Sequence, residues 1–94
     1  EARALDPSLP EPAPWSVDDS AKGPRYAVAS DAQKAFIVEV ARKTGLLFDP
    51  VYTGKALFGV RQAARELAGQ RVLFLHTGGL PGLLAQADDF RGLI

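Results

Sequence analysis

An α/β fold is predicted for this 94-residue chain on three observations: helical apolar stripes on either side of residue 50, a compact apolar run Val72-Leu73-Phe74-Leu75 that suits a strand covered on both faces, and Gly or Pro near each junction. The predicted order is helix, extended piece, helix, strand, helix. A single central strand has no sheet of its own, so its neighbours must come from elsewhere, in cis or in trans. The chain divides into a proline-rich extended arm, residues 1–25, and an incomplete α/β portion, residues 26–94.

The arm holds five of the seven prolines among acidic and small residues, a composition that buries little surface and favours loop structure. Trp15 is expected to pin it to a neighbouring surface, because aromatic burial is the largest gain such a segment can make. Ser30 and Gln33 have capping-box spacing, which predicts a first helix with Phe36, Ile37, Val40 and Ala41 as its apolar stripe and Gly45 as its stop. Leu46 to Phe48 reads as a short buried strand or extended connector, ending where Pro50 disfavours helix for Asp49. A second helix is predicted from about Gly54 to Ala68. Its apolar face is Ala56, Leu57, Val60, Ala63, Ala64 and Leu67, its polar face carries Lys55, Arg61, Arg65 and Glu66, and Gly69 terminates it. Gly78-Gly79 ends the strand and Pro81 starts a short last helix.

Composition narrows the function classes. Eleven basic and eleven acidic side chains give zero net charge, without the basic stripe that drives phosphate-backbone binding, so nucleic acid is disfavoured as a partner. No apolar run approaches the roughly 20 residues of a spanning helix. The first residues are acidic and proline-bearing where a signal peptide would be basic and then apolar. A soluble, cytoplasmic protein with no membrane partner is expected. With no Cys and one His, neither a disulfide nor a metal site is expected to support the core. A core of this size is marginal without such help, which points to a larger assembly.

Two loops carry candidate chemistry. In Asp49-Pro50-Val51-Tyr52-Thr53-Gly54-Lys55, Tyr52 and Thr53 stand at the mouth of a helix, where unpaired N–H groups and the helix dipole favour an anion or a polarised ligand atom. Thr53 has the plain alternative of an N-cap, whereas Tyr52 is poorly placed to join either apolar stripe. In His76-Thr77-Gly78-Gly79 a hydroxyl lies at the C-terminal end of the strand, the end at which open α/β sheets bind ligands. The glycines would let a ligand approach the backbone, or could form only a turn. His76 is expected to be a structural hydrogen-bonding residue.

The block Leu47-Phe48-Asp49-Pro50-Val51-Tyr52-Thr53-Gly54-Lys55-Ala56 is followed about fifteen residues later by Val72-Leu73-Phe74-Leu75-His76-Thr77-Gly78-Gly79-Leu80-Pro81, with Gly59 between them. Together they resemble the paired C-terminal signature of the D-cysteine desulfhydrase and 1-aminocyclopropane-1-carboxylate (ACC) deaminase family of pyridoxal 5'-phosphate (PLP) dependent lyases. The resemblance reaches back to Pro24-Arg25-Tyr26 and covers roughly residues 17–86. It implies a fold-type-II, tryptophan-synthase-β-like architecture in which this chain is the C-terminal segment of the large cofactor-binding domain. It also implies that the Schiff-base lysine and the main phosphate-cradling loop lie far upstream. Lys22, Lys34, Lys43 and Lys55 do not match the family's active-site lysine motif, so the chain alone is expected to be inactive. Lys55 reads as a helix-surface or loop-bonding residue.

By the same resemblance, Tyr52 is the aromatic residue beside the cofactor ring, where it stacks or exchanges a proton with bound substrate, and Tyr26 faces the same pocket. Thr77 is implied to bond the pyridine nitrogen, with Thr53 its neighbour and Gly78 and Gly79 completing the cofactor-binding set. The Gly that usually follows the second tyrosine is Ala27 here, a departure that bears on the backbone at Tyr26.

Deaminases acting on the cyclopropane ring typically carry Glu at the position of Thr53 and Leu at that of Thr77. A carboxylate beside the ring nitrogen keeps it protonated and strengthens the electron sink. Loss of a good β-leaving group such as sulfide needs only a modest sink, so the Thr53/Thr77 pair points to β-elimination from D-cysteine or a similar small amino acid, giving pyruvate, ammonia and sulfide. ACC deamination is the alternative activity. From a different class, the alternative is a non-catalytic family remnant acting as an interaction module. The expected partners are a small amino-acid substrate and the remainder of the enzyme, the intact enzyme being a homodimer.

Overall fold

The computed structural model describes residues 1–94. In chain order it contains α1 (Ala2–Leu5), α2 (Asp31–Thr44), α3 (Thr53–Gln62), α4 (Ala64–Leu67), α5 (Leu80–Ala85) and a closing 3-10 segment, Ala87–Leu93. α2 follows directly from its local signals. The Ser30 hydroxyl accepts from Gln33 N–H at 3.1 Å while the Gln33 side-chain oxygen accepts from Ser30 N–H at 2.9 Å, so both halves of the capping box are present. At the other end Gly45 adopts a left-handed φ of 75° and its N–H donates to the Ala41 carbonyl.

The second predicted helix is divided. α3 stops at Gln62, Ala63 turns to a ψ near 8°, and α4 runs four residues further. No Gly or Pro marks this break in the sequence. α3 also buries a different part of itself than its apolar pattern suggests: Thr53, Gly54 and Lys55 are its buried residues, whereas Ala56 is exposed. Gly54 explains the seating. A Cβ there would come within 2.8 Å of the Ile37 side chain and collide with the Asp49 carbonyl, so α3 can press its first turn against α2 only with glycine at this point. Lys55, expected on the polar face, is only 7% exposed for the same reason.

The core is small. Ile37, Phe48 and Phe90 are buried together, with Val38, Val40, Leu57, Phe74 and Leu83 packed around them. Of the apolar run after Gly45, only Phe48 enters this core, while Leu46 and Leu47 remain exposed, so the segment is a connector and not a buried strand. Phe90 closes the core from the 3-10 segment.

No sheet forms, and a single bridge joins Arg25 to Val28. Residues 71–79 have no regular structure, so the α/β class is not realised within this chain. A strand's N–H and C=O groups need a neighbouring strand to pair with, and this chain supplies none. Only Phe74 turns inward, meeting Phe48 edge-on at 5.9 Å, while Leu73 is 86% exposed and Leu75 74%. The Cα radius of gyration is 16.2 Å, against about 12 Å for a closed domain of this length.

The arm has one helical turn, α1, and is otherwise irregular and exposed. Trp15 is 80% exposed and is not buried against any part of this chain. No helix is long and apolar enough to cross a membrane.

Candidate functional site

The start of α3 is organised by Asp49. Its carboxylate is fully buried and spans the helix mouth: Oδ1 accepts from the N–H groups of Val51 (2.8 Å) and Tyr52 (2.7 Å), and Oδ2 accepts from Thr53 N–H (2.9 Å) and from the Thr53 hydroxyl. The hydroxyl oxygen of Thr53 in turn accepts from Asp49 N–H at 3.1 Å. The free N–H groups that the sequence offers to a ligand anion are therefore taken by the chain's own carboxylate, placed where the helix dipole favours negative charge. Burial pushes the Asp49 pKa up, but the hydrogen bonds from Thr53, Tyr52 and Val51 outweigh it and hold the carboxyl below the usual carboxylate range. Sequence reasoning did not single out Asp49. The available signal was an Asp directly before Pro50 and four residues before Thr53.

With its backbone held in this way, Tyr52 projects outward and is 61% exposed. Tyr26 reaches it from the turn 25–28: the two hydroxyls are 2.7 Å apart and the rings meet edge-on with centroids 6.1 Å apart. Hydrogen bonding to Tyr26 is the main influence that raises the Tyr52 pKa above its ordinary value, reinforced by repulsion between the two phenolates, by desolvation and by the Asp49 charge. The pair borders an open cleft of about 470 Å³, whose walls also carry Asp18, Asp19, Lys22 and Arg25.

Position 27 has an unusual backbone in the turn beneath Tyr26. Ala27 is the one non-glycine residue with positive φ, at 60°, a left-handed conformation that costs an L-residue with a Cβ about 1–2 kcal/mol.

The second loop folds against the first. The Thr53 hydroxyl lies 3.5 Å from the Gly78 carbonyl, 25 residues away in sequence. Gly79, at φ 103°, sits so close to Asp49 that a Cβ would come within 2.6 Å of the carboxyl carbon. Its glycine allows an approach to Asp49. Gly78 has φ 100° and open space where a side chain would be, and Thr77 beside it is exposed. Of the six residues singled out in the sequence, Tyr26 and Tyr52 are brought together, Thr53 and Gly79 are turned onto Asp49, the Gly78 carbonyl lies near the Thr53 hydroxyl, and Thr77 is exposed.

His76 has a structural place. Gly78 N–H donates to its Nδ1 at 3.1 Å, which leaves Nε2 to donate to the Leu47 carbonyl at 2.8 Å. The ring stacks on Phe48 with centroids 4.4 Å apart, so His76 ties the second loop to the connector before Asp49.

Comparison with known proteins adds to this geometry. No family model and no solved structure matches the chain. Among curated proteins, the bifunctional D-cysteine desulfhydrase/1-aminocyclopropane-1-carboxylate deaminase, mitochondrial, of Arabidopsis thaliana is 38% identical over 79 residues, covering 80% of this chain and 20% of that protein. The 1-aminocyclopropane-1-carboxylate deaminases of Burkholderia ambifaria and Burkholderia vietnamiensis are each 38% identical over 78 residues, covering 80% of this chain and 23% of theirs. The chain spans about a fifth of the length of these relatives. Similarity of this depth across four-fifths of its residues places it: the chain belongs to the D-cysteine desulfhydrase and 1-aminocyclopropane-1-carboxylate deaminase family, matching a C-terminal segment of it.

Proposed function

We propose that this chain is one part of a PLP-dependent lyase that acts on a small amino acid, with D-cysteine the preferred substrate class and ACC the alternative. The observation that carries the reading is the hydroxyl contact between Tyr26 and Tyr52 at the rim of an open cleft. The Schiff-base lysine, the main phosphate loop and the neighbouring strands of a fold-type-II sheet are assigned to the remainder of the enzyme, which pairs with residues 71–77.

The chain's own groups fit one edge of the cofactor. Thr77 is exposed and its hydroxyl type suits the pyridine nitrogen, and apart from the adjoining residues no atom of the chain lies within 4 Å of where a Gly78 side chain would begin. Thr53 and Gly79 do not fit as direct contacts, since both are committed to Asp49. When bound, PLP supplies an electron sink for the α-carbon of the amino acid. A neutral hydroxyl at Thr77 suits loss of a good leaving group better than opening of a cyclopropane ring, whereas the Thr53 hydroxyl is held by Asp49.

In the overall reaction, D-cysteine and water give pyruvate, ammonia and hydrogen sulfide. The Cβ–S bond breaks and the departing sulfur takes a proton. Tyr52, whose hydroxyl is held by that of Tyr26, is assigned as the donor for that sulfur, and Tyr26 orients the phenol and can replace its proton. The test is a sulfide and pyruvate assay with D-cysteine on the chain combined with the complementary upstream segment of a family member and PLP. Ammonia from ACC without sulfide would favour the deaminase alternative. A folded complex that binds no cofactor would favour a non-catalytic interaction module.

A further inference from the structure

The turn that carries Tyr26 belongs to no helix, and apart from the bridge Arg25–Val28 its backbone has no regular pairing. Side chains from elsewhere hold it. Gln33 of α2 donates to the Ala21 carbonyl at 2.7 Å and Gln86, after α5, to the Ala27 carbonyl at 3.1 Å. Lys55 of α3 donates to two carbonyls, Lys22 at 2.7 Å and Arg25 at 3.1 Å.

Lys55 stands apart from the two glutamines. Its side chain is buried to 7% exposure, and its ammonium is directed at backbone carbonyls. Burying a cation is unfavourable unless it is hydrogen-bonded, and an apolar residue of similar length would fill the same space without that cost. What the ammonium adds is a pair of charge-assisted bonds. These bonds fall at a particular place. Arg25 directly precedes Tyr26, while Lys55 lies three residues beyond Tyr52, within the same first turn of α3. One end of the lysine is therefore fixed to the backbone that carries Tyr52, and the other to the backbone that carries Tyr26.

We propose that Lys55 is the positioning residue of the tyrosine pair, setting the Tyr26 hydroxyl against that of Tyr52 by clamping the Arg25 carbonyl to α3. Its relevance to catalysis rests on the reading of Tyr52 as proton donor; the clamp itself does not. Asp49, Asp18, Asp19, Lys22 and Arg25 are the other charged groups around the pair.

The chain has only two tyrosines, so ring resonances and phenolate absorbance report this pair alone. The experiment compares the chain with its Lys55→Met variant, which keeps the aliphatic stem and loses the donors, by NMR at neutral pH and by phenolate titration, with no cofactor or amino acid present. Lys55→Met is expected to lose the Tyr26–Tyr52 ring-to-ring NOE, and the higher of the two phenol midpoints is expected to fall toward the ordinary value of about 10, as it does in Tyr26→Phe. Added to Tyr26→Phe, Lys55→Met should move the Tyr52 midpoint no further. A folded Lys55→Met chain that keeps both the NOE and the wild-type midpoints overturns the proposal. Should that variant fail to fold, the decision passes to the wild-type chain, where the Lys55 side chain approaches Gly23: an NOE from the Lys55 Hε protons to Gly23 Hα is expected, and its absence overturns the clamp. Because the readout needs no turnover, it separates the clamp from the lyase reading, which the sulfide assay decides.

Discussion

The hydroxyls of Tyr26 and Tyr52 lie 2.7 Å apart although 26 residues separate them in sequence. Removing the first should release the second. In Tyr26→Phe the hydrogen bond and the repulsion of a second phenolate are lost, while desolvation and the Asp49 charge remain, so the Tyr52 midpoint is expected to fall toward the ordinary phenol value of about 10 without reaching below it. Phenolate absorbance against pH measures this on a chain with a single remaining tyrosine.

In the assembled enzyme, Tyr52→Phe keeps the ring but loses the proton. Turnover is expected to drop by roughly 100-fold or more, the usual scale for a general acid, while cofactor retention changes little. Steady-state kinetics beside a cofactor-release measurement separates the two, and equal loss of both would contradict the proton-donor role.

Asp49→Asn should destabilise the chain by about 1–3 kcal/mol, because an amide cannot accept all the bonds that the buried carboxylate accepts. The pH dependence has a definite sign. The folded-state pKa of Asp49 is depressed, so its contribution is present above the unfolded carboxylate pKa of about 3.9 and is lost as pH falls through the lower folded value. Urea unfolding at pH 7 and pH 3 should show the variant's deficit shrinking in acid.

Ala27→Gly should stabilise the turn. Relief of the left-handed penalty, about 1–2 kcal/mol, exceeds the added freedom of the unfolded chain, about 0.4–1 kcal/mol, leaving a gain on the order of 0.5–1 kcal/mol. Thermal unfolding measures it, and a lower melting temperature would contradict the strain at Ala27.

Thr77→Leu, in the assembled enzyme, should shift the absorbance maximum of the bound cofactor and slow elimination. An unchanged spectrum and rate would remove Thr77 from the site.

Local signals were readable where they close within one turn of chain. Ser30 with Gln33 and Gly45 set both ends of α2, because each cap bonds within four residues. Groups whose partners are remote were not readable. Lys55 looks like a surface residue on a helical wheel, and its burial depends on the Gly54 contact with Ile37 and on carbonyls about 30 residues away. Phe90 shows no periodicity that marks it for the core. The run Val72 to Leu75 is strand-like in composition, but a strand is completed by its neighbours and these residues have none here. Trp15 is likewise exposed within this chain. At the site, the family motif pointed to Tyr26 and Tyr52 in one pocket, whereas the filling of the helix mouth by Asp49 emerged only from the folded geometry.

The most direct test of the lyase reading is sulfide release from D-cysteine by this chain combined with PLP and the complementary upstream segment of a family member. The account predicts an absorbance band from bound cofactor and sulfide production in the mixture, with neither from the chain alone. A folded mixture with no band and no sulfide would contradict it.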